Sequence, residues 1–284
     1  MGRSANLLLV AGEVVVIGPS KGWQPLRLGL LWSFRELGYF LIWRDLKLRY
    51  KQTLLGASWA IIQPAVTTVV FTVIFGHWLG IGSSFGGPYA LYAFTGMVAW
   101  AFFSQGLAKG SASLTAAAGV ITRVYFPRLL LPLGSVLAFA VDLLISSGLL
   151  LVVMSFYGFT QRLSLLAFPL FFILLAVTTL GVTFVLGAAN AQYRDVQYVT
   201  PFLVQIWFFA TPIVYPLSAV PEGLREIYAI NPMVSIVEGF RWVFLGGGFP
   251  SVAEFVVSSV AAVAIFVAGA FYFRRMERTV VDVV

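Results

Sequence analysis

Six long apolar stretches, at roughly 58–80, 89–108, 129–156, 164–189, 199–216 and 251–273, leave this chain few folds to choose from. Each approaches the ~20 residues that an α-helix needs to cross about 30 Å of hydrocarbon. With 60% hydrophobic and only 10% charged residues, the chain has too little polar surface to clothe a core in water. The pattern predicts an all-α membrane protein of six transmembrane helices.

The cations give the topology. Arg3, Lys21, Arg27, Arg35, Arg44, Lys47, Arg49 and Lys51 precede the first stretch. Lys109, Arg123 and Arg128 lie between the second and third, Arg194 between the fourth and fifth, and Arg274, Arg275 and Arg278 after the sixth. The alternate gaps hold only Arg162, Arg225 and Arg241. Cytoplasmic connections carry the excess of Lys and Arg, so both termini are expected in the cytoplasm. The net charge of +7 is then a record of topology and calls for no nucleic acid.

The chain has no Cys and a single His, His77, which removes disulfides, thiolate metal sites and His clusters. His77 reads as an interfacial residue. Residues 7–17 are apolar but interrupted by Glu13, and no small-residue cleavage site follows them. The expected divisions are an N-terminal cytoplasmic segment (1–27), an interfacial amphipathic helix (28–51) and a transmembrane domain (52–284). In the helix over 28–51, Trp32, Tyr39, Trp43, Leu46 and Tyr50 share one stripe, while Arg44, Lys47 and Lys51 share another. Asp45 and Arg49 stand at the i,i+4 spacing of an ion pair. Aromatic rings at headgroup level and cations in water suit the cytoplasmic interface.

Pro64 kinks the first span, Asp142 stands near the middle of the third, and Gln192 to Asp195 make a tight cytoplasmic turn. The 109–128 connection is long enough for a short helix. Between spans five and six, 217–250 is the one sizeable outside segment. Pro221 can open a short helix there, Asn231-Pro232 ends it, and a second helix over about 233–245 brings Glu238 and Arg241 together at i,i+3 before Gly246 to Gly248. Each is too short to cross alone, so the pair is predicted to form a re-entrant hairpin.

Several of these segments carry a resemblance. They are RDLKLRYKQTLLGASWAIIQP at 44–64, YFPRLLLPL at 125–133, YRDV at 193–196, TPIVYPLSAVPEGLREIYAINPMVSIVEGFRW at 211–242 and ERTVVDVV at 277–284. In this order they resemble the permease subunits of ABC-2 type exporters, in the branch that exports polysaccharides and polyol phosphates. Val280-Val281 departs from the aromatic-plus-Ala commoner in that family, and the first 25 residues match nothing in it.

The resemblance implies a homodimer in the bacterial inner membrane with its path at the subunit interface. A separate ATP-binding subunit would sit beneath each permease, and the substrate would be a lipid-linked polysaccharide of O-antigen, capsule or teichoic-acid type. ATP and Mg²⁺ would then belong to the partner, with no cofactor or metal in this chain. Independently, the chain contains no phosphate-cradling G-x-x-x-x-G-K-[ST] loop. A motor in the cytosol can push only on cytoplasmic elements. The resemblance implies that the first and second cytoplasmic connections, or the amphipathic N-terminal helix, contact the ATPase; by matching position the candidate coupling residues are Arg194 and Asp195, then Arg123 and Arg128, with Arg44, Asp45 and Arg49 on the interfacial helix. Asp195 also stands where it can cap the following helix.

For the path, a hydrophilic glycan needs ring faces and hydroxyl partners. Trp100, Phe102, Phe103, Trp207, Phe208 and Tyr215 are the aromatic candidates. Asp142 joins them as a mid-span carboxylate, or else ties two helices together. The outside hairpin around Pro221–Gly248 resembles the family's re-entrant element over the exit, which implies an outer gate at Pro221, Asn231, Pro232, Glu238 and Arg241. The competing readings are an ABC-2 exporter of a drug or lipid, a membrane-embedded glycan transferase and a secondary transporter. The transferase lacks a clustered acid–base set in Glu222, Glu226, Glu238 and Glu254. The secondary transporter would rest on Asp142 alone.

Overall fold

The computed structural model describes residues 6–10, 13–17, 28–51, 58–78, 88–121, 124–158 and 163–283. Arg123 and the connection at 81–87 lie outside the described residues. The first element was not anticipated: β1 (Asn6–Val10) and β2 (Glu13–Ile17) pair antiparallel, with Asn6 opposite Ile17 and Val10 opposite Glu13. All other regular elements among the described residues are helical.

The amphipathic segment divides at Phe34 into α1 (Leu28–Ser33) and α2 (Arg35–Tyr50). Glu36 in the first turn of α2 and Lys47 and Arg49 in its last complement the helix dipole. Gly38 and Leu41 are its buried positions; of the expected stripe, Trp32, Tyr39 and Trp43 are exposed, whereas Leu46 and Tyr50 are half-buried.

Helix α3 (Trp59–Phe71) contains Pro64 and passes into a π-helical turn, Thr72–Trp78, which carries His77. Helix α4 (Tyr89–Ser111) has 23 residues, about 35 Å of rise, and most of them are buried. Two single turns, α5 (Ser113–Ala116) and α6 (Ala118–Ile121), fill part of the 109–128 connection. The third apolar stretch is interrupted at 138–139, giving α7 (Leu130–Leu137) and α8 (Ala140–Phe156). After a 3-10 turn, α9 (Phe168–Gln192) begins with Pro169 in its first turn, and α10 (Val196–Phe209) follows the tight turn at 193–195. Then come α11 (Glu222–Ile230), α12 (Pro232–Leu245) and α13 (Val252–Val283).

Among the described residues, four segments are long and apolar enough to cross a membrane by length and composition: Ile61–Trp78, Leu130–Phe156, Leu163–Gln192 and Val252–Glu277. The fifth stretch departs from expectation. Its helix stops at Phe209 after 14 residues, about 21 Å, and 210–216 is not helical. Pro212 and Pro216 account for the break, since each removes a donor and disfavours helix in the residue before it.

Helix α4 is the hub, touching α3, α7, α8, α9, α10 and α12. The most extensive helix pair is α9 with α13. A Cβ on Gly269 would lie 2.3 Å from the Gly181 carbonyl oxygen, so the backbones meet where side chains are absent. The outer face of α13 carries Val252, Val256, Val260, Val263 and Val267, all exposed at helical spacing. A stripe of that kind suits acyl chains.

Candidate functional site

The end of α2 is fastened to the third stretch. Asp45 accepts a 2.7 Å hydrogen bond from Ser135 Oγ of α7 and pairs with Arg44 at 2.8 Å. Arg49 instead pairs with Asp142, in the first turn of α8, and Tyr50 donates its hydroxyl to the same carboxylate. The expected Asp45–Arg49 pair therefore does not form, because each residue has a partner on a neighbouring helix. The Arg49 guanidinium also lies 3.4 Å from the centroid of the Phe139 ring. Burial, and then hydrogen bonding to the Asp142 carboxylate, push the Tyr50 hydroxyl up to about 12. Near neutral pH it is therefore a permanent donor. Between this face of α2 and the α4–α6 end lies a cleft of about 530 Å³, lined in part by Arg44, Arg49, Lys109 and Ser113.

The other coupling candidates divide sharply. The backbone N–H of Arg128 donates to Glu277 Oε1 at 3.2 Å, and its guanidinium donates to the Glu277 carbonyl. Glu277 also pairs with Arg274 at 2.8 Å, so the YFPR segment is held to the end of α13. Tyr193, Arg194 and Asp195 are exposed on their turn. Asp195 occupies the N-cap position of α10, but its side chain makes no capping bond. Among the described residues, neither it nor Arg194 has a side-chain partner in the chain.

Four of the aromatic path candidates, Trp100, Phe103, Trp207 and Phe208, form one connected cluster, and Phe102 packs apart from it. Trp100 meets Phe103 at 5.2 Å and Phe208 at 5.5 Å, Phe103 meets Trp207 at 5.1 Å, and Phe102 meets Phe172 at 5.8 Å between ring centroids. Phe102 and Phe103 are 2% and 0% exposed, so in this conformation they face the inside of the chain. Trp207, Phe208 and Tyr215 are half-buried. Exposed rings lie elsewhere on α10, at Tyr198, Phe202 and Phe209.

Sequence reasoning passed over the amides. Gln63 on α3 and Gln205 on α10 are exposed, and half-buried Gln105 on α4 approaches Gln63 to 3.5 Å. The signal was present: a lone amide in an apolar helix is costly to place against lipid and marks a face turned to water or protein.

At the other end of the cluster, the 210–216 break has its freed carbonyls capped by side chains. Tyr89 donates to the Val214 carbonyl at 2.6 Å, Tyr92 to that of Tyr215 at 3.3 Å, and Tyr215 to that of Phe209 at 2.7 Å. Arg241, 4% exposed, donates to the Ile213 carbonyl at 2.6 Å and to Glu238 at 2.7 Å, and lies 3.5 Å from the Tyr92 ring centroid. Asn231 joins the parts. Its Oδ1 accepts from Met233 N, capping α12, and from Trp207 Nε1 at 2.9 Å, while its Nδ2 donates to the Ala210 carbonyl at 3.1 Å. Pro232 opens α12, where its missing N–H costs nothing. Pro221 is exposed at the N-cap position of α11. Of the gate candidates, Asn231, Pro232, Glu238 and Arg241 thus converge on the break, with Pro221 at the margin.

Comparison with known proteins places these features. The chain is 28% identical over 250 residues to an O-antigen export system permease protein, RfbA, of Myxococcus xanthus, covering 87% of this chain and 95% of the relative. Its identity to an RfbA of Klebsiella pneumoniae is 28% over 205 residues, or 72% and 78% of the two chains. A polysialic acid transport protein, KpsM, of Escherichia coli is 24% identical over 246 residues, or 84% and 92%. The sequence model of the ABC-2 type transporter family matches residues 36–245, from the start of α2 to the end of α12. The chain belongs to the ABC-2 type transporter family, as the membrane permease subunit of an ABC exporter.

Proposed function

We propose that this permease, paired with a second copy and driven by a separate ATP-binding subunit, moves a lipid-linked polysaccharide across the inner membrane. The observation that carries this reading is similarity over most of the chain to permeases named for O-antigen and polysialic acid export. The motor docks on the exposed Arg194–Asp195 turn and on α2, where a cytosolic partner can reach charged groups that the chain leaves available.

Six crossings, with both termini cytoplasmic, follow from the charge distribution. The second is α4, and the fifth is α10 extended by the 210–216 break. At 9 and 14 residues, about 14 and 21 Å, α11 and α12 each fall short of the hydrocarbon thickness and re-enter from the outer face. The burial of α12 supports this, with Met233, Ile236 and Val237 fully enclosed. The subunit interface and path use the α3 and α10 faces, where Gln63, Gln205, Phe202 and Phe209 offer amides and rings to a hydroxyl-rich chain.

Deletion of the gene should leave lipid-linked glycan inside the cell and strip the surface, with both restored by a plasmid copy. Normal surface polysaccharide in the deletion strain, with no second exporter present, would overturn the proposal.

A further inference from the structure

Helix α2 touches the third stretch at successive levels. A Cβ on Gly38 would lie 3.5 Å from Leu130 Cδ2, and one on Gly134 would lie 3.1 Å from Leu41 Cβ. Above them Ser135 holds Asp45 at 2.7 Å, and Asp142 holds both Arg49 and Tyr50. The backbone of α2 lies against α7, and the long side chains of Arg49 and Tyr50 reach on to Asp142 in α8. These contacts also straddle the interruption at 138–139, with Gly134 and Ser135 before it and Phe139 and Asp142 at or after it.

We infer that α2 is a splint across this interruption, and that Asp142 is a positioning residue which makes α2 and the 130–156 helix move as one body. Without the Asp142 anchor, a push on α2 would bend the chain at 138–139 and be dissipated. With it, the push tilts the whole helix and, through α4, the path. The Arg49–Asp142 pair suits this work. The two side chains are only 25% and 14% exposed, Phe139 covers the guanidinium, and Tyr50 takes up the second carboxylate oxygen. Asp142 then serves transmission from the motor and not contact with the substrate. This inference rests on the exporter reading above.

The test uses the permease–ATPase complex and a deletion strain complemented with each variant. Asp142→Asn should retain the ATPase subunit on purification and hydrolyse ATP within about twofold of wild type. Surface polysaccharide should fall about tenfold or more, and the charge-swapped Arg49→Asp/Asp142→Arg pair should recover at least about a third of it. Wild-type surface polysaccharide in Asp142→Asn, loss of the ATPase subunit from it, or no recovery in the swap would overturn the inference.

A second variant needs no buried charge to be moved. Because the chain has no Cys, Leu41→Cys/Gly134→Cys offers one defined cross-link. Oxidised, this complex should hydrolyse ATP within about twofold of its reduced rate. A reductant-reversible loss would show that α2 and α7 must separate, which the splint forbids. If the wild-type gene itself fails to restore surface polysaccharide, the exporter reading falls, and that result is distinct from any of these.

Discussion

Arg241 Nη2 donates to the carbonyl oxygen of Ile213 at 2.6 Å, tying α12 to the one non-helical stretch inside the fifth apolar segment. A buried cation in this setting is costly unless partnered, and here Glu238, Ile213 and the Tyr92 ring serve it, while its Nε makes no hydrogen bond among the described residues. Arg241→Ala strands Glu238 and a carbonyl at once. The expected loss is about 3 kcal/mol of stability, read as a lower unfolding temperature of the detergent-solubilised permease. Arg241→Lys keeps the charge but not the fork, so it should fall between wild type and alanine.

Asn231 is the second fastening of the same break. Its cap on α12 alone is worth about 1 kcal/mol, and its bonds to Trp207 and Ala210 add to that. Asn231→Ala should therefore cost more than an ordinary cap, about 2 kcal/mol or more. Combined with Arg241→Ala, the loss should be non-additive, because both act on the 210–216 segment. A double-mutant cycle on thermal unfolding checks this.

How much of this was legible in the sequence depends on the range of the interaction. Local rules were enough for Asn231-Pro232 as a helix boundary and for Glu238–Arg241 at i,i+3. The same local rule misplaced Asp45 and Arg49. Their i,i+4 spacing permits a surface pair worth a few tenths of a kcal/mol, but Ser135 and Asp142, about ninety residues away, offer partly buried partners. No periodicity encodes that choice. Pro212 and Pro216 could have warned that the fifth helix stops at Phe209, but apolar length concealed it. The burial of Phe102 and Phe103 is also tertiary, since α4 carries apolar residues on every side.

Arg194 and Asp195 lend themselves to a clean separation of stability from function. Both are exposed and make no side-chain bond in the chain among the described residues. Replacing them with alanine should shift the stability of the isolated permease by no more than about 0.5 kcal/mol. Co-purification of the ATPase subunit, or glycan-stimulated hydrolysis in the complex, should nevertheless fall. Unchanged docking and hydrolysis would show that the turn is not a contact for the motor.

The exposed amides make the sharpest claim about the path. Gln63 and Gln205 belong to apolar helices, and in a lipid-facing position leucine would be the better residue at either site. Gln63→Leu and Gln205→Leu should thus leave the permease as stable as wild type or slightly more so. If these amides hydrogen-bond a passing glycan, the same changes should slow export, and the pair together should slow it more than either alone. Gln→Asn, which keeps the amide but draws it back by one methylene, should be milder than leucine. The measurement is surface polysaccharide after induction of each variant at matched membrane levels. Wild-type rates in the double leucine variant would place the path on another face of the protein.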